Sequence, residues 1–97
     1  MKLKTHPAVE NELGAAVAWY DARSSTAGDR FLEEFSQSIE RITSLPLAWQ
    51  KLSHNVRRCS LSHFPYGVVY HVKKDEIIIL AVMHLHRKPG YWKERLK

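Results

Sequence analysis

Cysteine is nearly absent from this chain. Cys59 is the only one in 97 residues, so no internal disulfide is available, and its place within an expected strand predicts a reduced, packed thiol rather than a nucleophile. Long apolar runs are missing as well. None approaches the roughly 20 residues needed to span a bilayer, and Met1-Lys2-Leu3-Lys4-Thr5-His6 has no signal-peptide core, so the expectation is a cytoplasmic protein with no membrane partner. Glycine is sparse: Gly14, Gly28, Gly67 and Gly90 stand alone, which excludes a glycine-rich phosphate loop and with it nucleotide cofactors. No Cys/His pair at zinc spacing accompanies His84-x-His86, so neither a metal nor any other cofactor is expected. Repeats, low-complexity tracts and Gly/Ser linkers are absent too. The length leaves room for one core, and residues 1–97 read as a single domain.

Apolar residues make up 44% of the chain and charged residues 26%, the proportions of a folding domain rather than a disordered one. The net charge of +5 is unevenly spread. Residues 1–50 hold five Lys/Arg against seven Asp/Glu, whereas residues 51–97 hold ten against three. The second half therefore faces either an anionic partner, nucleic acid or an acidic protein segment, or simply water.

Lys2-Leu3-Lys4-Thr5 alternates as a short edge strand would. Pro7 suits the first turn of a helix, and Val9, Leu13, Ala16, Val17 and Tyr20 recur at helical spacing up to about Arg23. Ser24 to Gly28 reads as a turn, with Thr26 and Asp29 spaced as a capping box that opens a second helix. Phe31, Leu32, Phe35, Ile39, Ile42 and Leu45 form its apolar stripe, and Pro46 stops it. After a polar loop from Gln50 to Asn55, strands are expected at Val56–Leu61, Tyr66–Val72 and Glu76–Met83. The last is apolar on both faces, as a central strand is. Short links, Lys73-Lys74-Asp75 among them, favour antiparallel pairing. The fold class is thus α+β, in the order β-α-α-β-β-β, with an αα-hairpin packed on one face of an antiparallel sheet and the opposite face left available.

Several of these segments together resemble one family. Arg57-Arg58, then Phe64-Pro65-Tyr66-Gly67-Val68-Val69-Tyr70, the run Ile77–Met83, and His84-Leu85-His86-Arg87-Lys88-Pro89-Gly90-Tyr91-Trp92 are similar to toxins of the RelE/ParE superfamily. So are Trp19-Tyr20, Phe31, Phe35 and Pro46. The resemblance spans nearly the whole chain and implies the toxin of a type II toxin–antitoxin pair, often with a plasmid-stabilisation role, neutralised by a cognate antitoxin. It implies one of two targets. ParE-like members poison DNA gyrase without hydrolysis, and RelE-like members cut messenger RNA on the ribosome without a metal. An inactive relative kept as a binding module is the third reading.

RNA cleavage needs a base for the 2′-hydroxyl, cations for the phosphorane and an acid for the leaving oxygen. His84, His86, Arg87 and Tyr91 are the positions that the resemblance carries over for those roles. His84 and His86 share a side if the last strand continues through them. Arg57 and Arg58 alternate across a strand, so one of them faces away from the helices, to bind phosphate or the antitoxin. The segment from Pro89 to Arg95 interleaves aromatics with cations, a pattern that suits stacking on RNA bases or the closure of a small core.

Overall fold

A computed structural model describes residues 1–88 and 90–96; Pro89 of the C-terminal motif lies outside the described residues. Strand β1 (Lys2–Thr5) leads into helix α1 (Ala8–Asp21), which turns back as α2 (Ala27–Ser44). Strands β2 (Gln50–Ser53), β3 (Val56–Ser60), β4 (Tyr66–Lys73) and β5 (Glu76–His84) follow, and a 3₁₀ segment at Tyr91–Leu96 is the last of the described elements. The five strands lie in the order β1-β5-β4-β3-β2, antiparallel except that β1 runs parallel to β5. The α+β class and the strand-helix-helix-strand order match the reading of the sequence. The segment Gln50–Asn55 does not stay a loop: its first four residues form β2, hairpinned to β3 through His54-Asn55, where Asn55 takes a φ of 60°. Its polarity reflects its place at the sheet edge, with only Leu52 turned to a core.

Alternation along β4 sends Tyr66, Val68, Tyr70 and Val72 toward the helices, where Val9, Ala16, Phe31 and Ile42 meet them. In β5 a register shift opposite Val69/Tyr70 inserts Leu80, so Ile79 and Val82 both face the helices although they lie three residues apart. The buried face of α2 runs through Phe31, Glu34, Ser38 and Ile42. Leu32 and Leu45, expected in the stripe, stand 41% and 60% exposed. Glu34 is drawn inward instead because its carboxylate accepts the backbone N–H groups of Ser62 (2.8 Å) and His63 (3.0 Å) and the His63 ring (2.7 Å), tying α2 to the β3–β4 loop. The expected capping box is also absent: Thr26 makes no side-chain cap bond, and Asp21 accepts the Gly28 N–H at 3.0 Å. A Cβ on Gly28 would fall on that carboxylate.

The far face of the sheet is not left open throughout. Val56, Val69, Leu80, Ala81 and Met83 are apolar there, and the C-terminal segment folds back so that Trp92, 4% exposed, covers them. Burying a tryptophan of this kind contributes on the order of 4 kcal/mol. Of the two roles considered for Tyr91-Trp92, the tryptophan fills the core-closing one.

Glu34 makes the fold acid-sensitive. Burial raises its carboxyl pKa, but the hydrogen bonds from His63 and Ser62 outweigh burial and leave it below the ordinary value. A depressed carboxyl contributes stability that is complete above the unfolded value, about 4.3, and lost as pH falls through the folded one. We expect Glu34→Gln to lower the urea midpoint at pH 7 and to flatten the loss of stability between pH 5 and pH 3, about 5 to 3 being the window in which this linkage acts. Parallel acid limbs for the two proteins would exclude the linkage.

Candidate functional site

The expected cluster gathers where β5 ends. Leu85 N–H bonds to Pro65 carbonyl (2.8 Å) and Arg87 N–H to His84 carbonyl (3.0 Å), so the chain turns after His84 instead of continuing as a strand. The turn, not strand alternation, brings the two imidazoles together, with ring centres 5.2 Å apart. His84 packs edge-on against Tyr66 at 5.0 Å, and its Nδ1 accepts the His86 N–H at 3.1 Å, which leaves the ring proton on Nε2. His86 and Arg87 are exposed.

Tyr91 is committed elsewhere. Its hydroxyl donates to Glu12 Oε2 at 2.8 Å, and Arg95 grips both oxygens of the same carboxylate at 2.9 and 3.0 Å. Glu12 Oε1 also accepts the Val82 N–H (3.0 Å), and Arg95 donates to the Leu80 carbonyl (2.8 Å). These two backbone groups belong to β5 beyond the end of β1, so a part-buried ion pair satisfies polar groups for which the sheet supplies no strand. Burial first, then the hydrogen bond and charge of Glu12, push the Tyr91 hydroxyl up to about 12. The Arg87 guanidinium lies on one side of its ring, 3.9 Å from the centroid, and that of Arg95 sits 5.0 Å from it.

The two sheet arginines part company. Arg57 shares the helix side with Cys59 and donates to the Trp49 carbonyl at 2.9 Å. Arg58 points to the far side, where its guanidinium is held by the Gln50 side chain and its Nε is buried without a partner. Its stem crosses Gly67 so closely that a Cβ there would sit 2.7 Å from Arg58 Cγ and Cδ.

Two cavities flank this region. One, about 590 Å³, runs between α1 and the end of β5 and is lined by Asn11, Glu12, Trp19, Tyr66, His84 and Arg87 among others. Trp19 is 52% exposed on its wall, with the Arg23 guanidinium 3.4 Å above the ring. The other, about 250 Å³, lies over the far face and is lined by Leu52, Arg58, Met83, Arg87, Trp92 and Lys93 among others. Arg87 borders both. Among the described residues no group of three or more His, Cys, Asp or Glu side chains is placed to hold a metal, and no helix is long and apolar enough to cross a membrane.

The sequence reading gave Glu12 and Gly67 no role at a site, and Lys93 and Arg95 only a share in the aromatic and cationic C-terminal segment. Glu12 had a signal: it lies three residues after Val9 and four before Ala16, a charge on the buried stripe of α1 that needed a cation from elsewhere.

Residues 3–89 match the family described as the ParE toxin of type II toxin–antitoxin system, parDE. Among solved structures the chain is similar to one from the chromosomal ParDE TA system of P. aeruginosa, with a TM-score of 0.65 and 21% identity, over 89% of this chain and 97% of that one. That likeness speaks for the fold. No curated protein matches the chain.

Proposed function

The chain belongs to the ParE toxin family of type II toxin–antitoxin systems, and from that premise we propose that it arrests growth by binding DNA gyrase, without hydrolysis, until a cognate antitoxin neutralises it. The observation that carries this reading is the commitment of Tyr91. With its hydroxyl bonded to Glu12 and its pKa pushed up to about 12, it stays protonated at pH 7, which makes it a poor base for a 2′-hydroxyl. His84 has spent one nitrogen on a backbone amide and packs edge-on against Tyr66. What remains is a surface suited to gripping: a groove whose wall carries a half-exposed tryptophan backed by arginine, the residue types that dominate binding hot spots.

RNA cleavage is the second reading, favoured by the exposed neighbours His86 and Arg87, of which Arg87 lines the groove. One experiment separates the two. The chain is induced alone in a bacterial host, and the purified protein is added to gyrase in a supercoiling assay. The expected result is growth arrest with intact messenger RNA, loss of supercoiling, and toxicity changed by less than about threefold in His86→Ala and Tyr91→Phe, since neither performs chemistry. Fragmented RNA with an active gyrase, and a loss of about 100-fold or more in those two variants, would replace this reading with the nuclease. A host unaffected by the chain would leave an inactive binding module.

A further inference from the structure

The smaller cavity, over the far face of the sheet, takes no part in the gyrase reading. Among the described residues its lining includes Arg58, Arg87 and Lys93 and no acidic residue. Cations gathered without a carboxylate repel one another unless an anion joins them. Arg58 is also built for that purpose rather than left to water: Gln50 orients its guanidinium, Gly67 makes room for its stem, and its buried Nε–H lacks an acceptor. An orphaned buried donor costs stability, so it marks a place where an acceptor is missing.

The walls decide what kind of anion fits. Leu52, Met83, Leu85 and Trp92 make them apolar, whereas a nucleic-acid strand needs an open track and aromatic faces for its bases. Neither aromatic residue here offers such a face. Trp92 is 4% exposed, and Tyr91 is flanked by Arg87 and Arg95. A peptide that sets a carboxylate among apolar side chains satisfies both the cations and the walls.

We propose that this cavity is a socket for an acidic side chain of the antitoxin, flanked by apolar residues, with Arg58 and Lys93 binding the carboxylate and Gly67 as the residue that positions Arg58. The inference rests on the toxin reading for the existence of the partner, but not on gyrase as the target. The incoming carboxylate accepts from the Arg58 guanidinium and from the Lys93 ammonium, both of which line the cavity. Gly67→Ala would drive the Arg58 stem aside and mimic its removal without touching a charge.

The test uses the full chain and the protein encoded by the adjoining gene, titrated by calorimetry at about 0.05 M and about 0.3 M salt, concentrations that bracket a Debye length of roughly 10 Å. Arg58→Gln and Lys93→Gln should each weaken binding about 10- to 100-fold, as losing a charge-assisted bond does, and both should flatten the salt dependence. Gly67→Ala should weaken it comparably while every charge is kept. Circular dichroism and urea unfolding establish that each variant is folded. Folded Arg58→Gln and Lys93→Gln proteins that bind as tightly as the parent would overturn the socket. So would displacement of the partner by a single-stranded RNA oligonucleotide bound in a way that depends on Arg58, which would make the site a nucleic-acid one. A wild-type chain that ignores the neighbouring protein yet inhibits gyrase would also overturn the socket while leaving gyrase as the target. The expected losses in a chain that leaves gyrase active would support the socket and remove the gyrase reading.

Discussion

Glu12→Ala lowers stability by about 3 kcal/mol, the scale for breaking one side of a buried ion pair, in a domain whose total is on the order of 5 to 15 kcal/mol. The loss is large because one carboxylate serves four donors. Its removal strands the Arg95 guanidinium, the Tyr91 hydroxyl and the Val82 N–H in a site where the Glu12 and Arg95 side chains are only 13% and 17% exposed. The melting temperature should fall on the order of 15 °C, and Trp92 fluorescence should shift to the red as the C-terminal segment lifts from the sheet. A double-mutant cycle with Arg95→Met isolates the pair: the second substitution removes the uncompensated charge and should recover part of the loss. A cost under about 0.5 kcal/mol for Glu12→Ala would mean that water replaces the carboxylate freely, and that the tail is not anchored here.

The second large effect lies in the helix-side core. Phe31 is fully buried and touches three other aromatic rings, Tyr20 at 5.7 Å, Phe64 at 5.0 Å and Tyr66 at 4.9 Å between centres. Phe31→Ala removes the hub, and the rigid rings around it cannot collapse into the space. The expected cost is about 3 to 5 kcal/mol, enough to bring a domain of this size near the edge of unfolding. Leu32→Ala, one residue on and 41% exposed, should cost less than about 1 kcal/mol and serves as the control. Urea unfolding of both proteins checks the contrast. Equal costs would mean that α2 is rotated relative to the sheet from the orientation described. The effect reaches the candidate site because Tyr66, supported by Phe31, in turn supports His84.

The helices and the last three strands were legible because each has a periodicity that a single stretch of sequence displays. Strand β2 was not, since Gln50-Lys51-Leu52-Ser53 turns mostly polar groups outward and gains its place by pairing with β3. The β5 bulge was hidden for the opposite reason: with apolar residues on both faces, a slip of one position leaves no mark in the pattern. Around the site, strand alternation showed that Arg57 and Arg58 must diverge, but only tertiary neighbours decide that Arg57 meets the Trp49 carbonyl while Arg58 crosses Gly67. The Glu12–Arg95 pair joins positions 83 apart, beyond the reach of any local rule. The same holds for Trp92: Tyr91-Trp92 reads equally as a stacking platform or a core plug until the apolar far face of the sheet is seen beneath it.

The ion pair on β5 also bears on how the sheet meets other sheets. A strand that outruns its neighbour normally exposes a row of amides and carbonyls that can template an incoming chain. Here the Val82 amide and the Leu80 carbonyl are already taken by side chains, so lateral growth is blocked on that flank beyond β1. The outer borders of β1 and β2, four residues each and carrying Lys2, Lys4 and Lys51 as deterrent charges, are the stretches left for edge-to-edge association at high concentration.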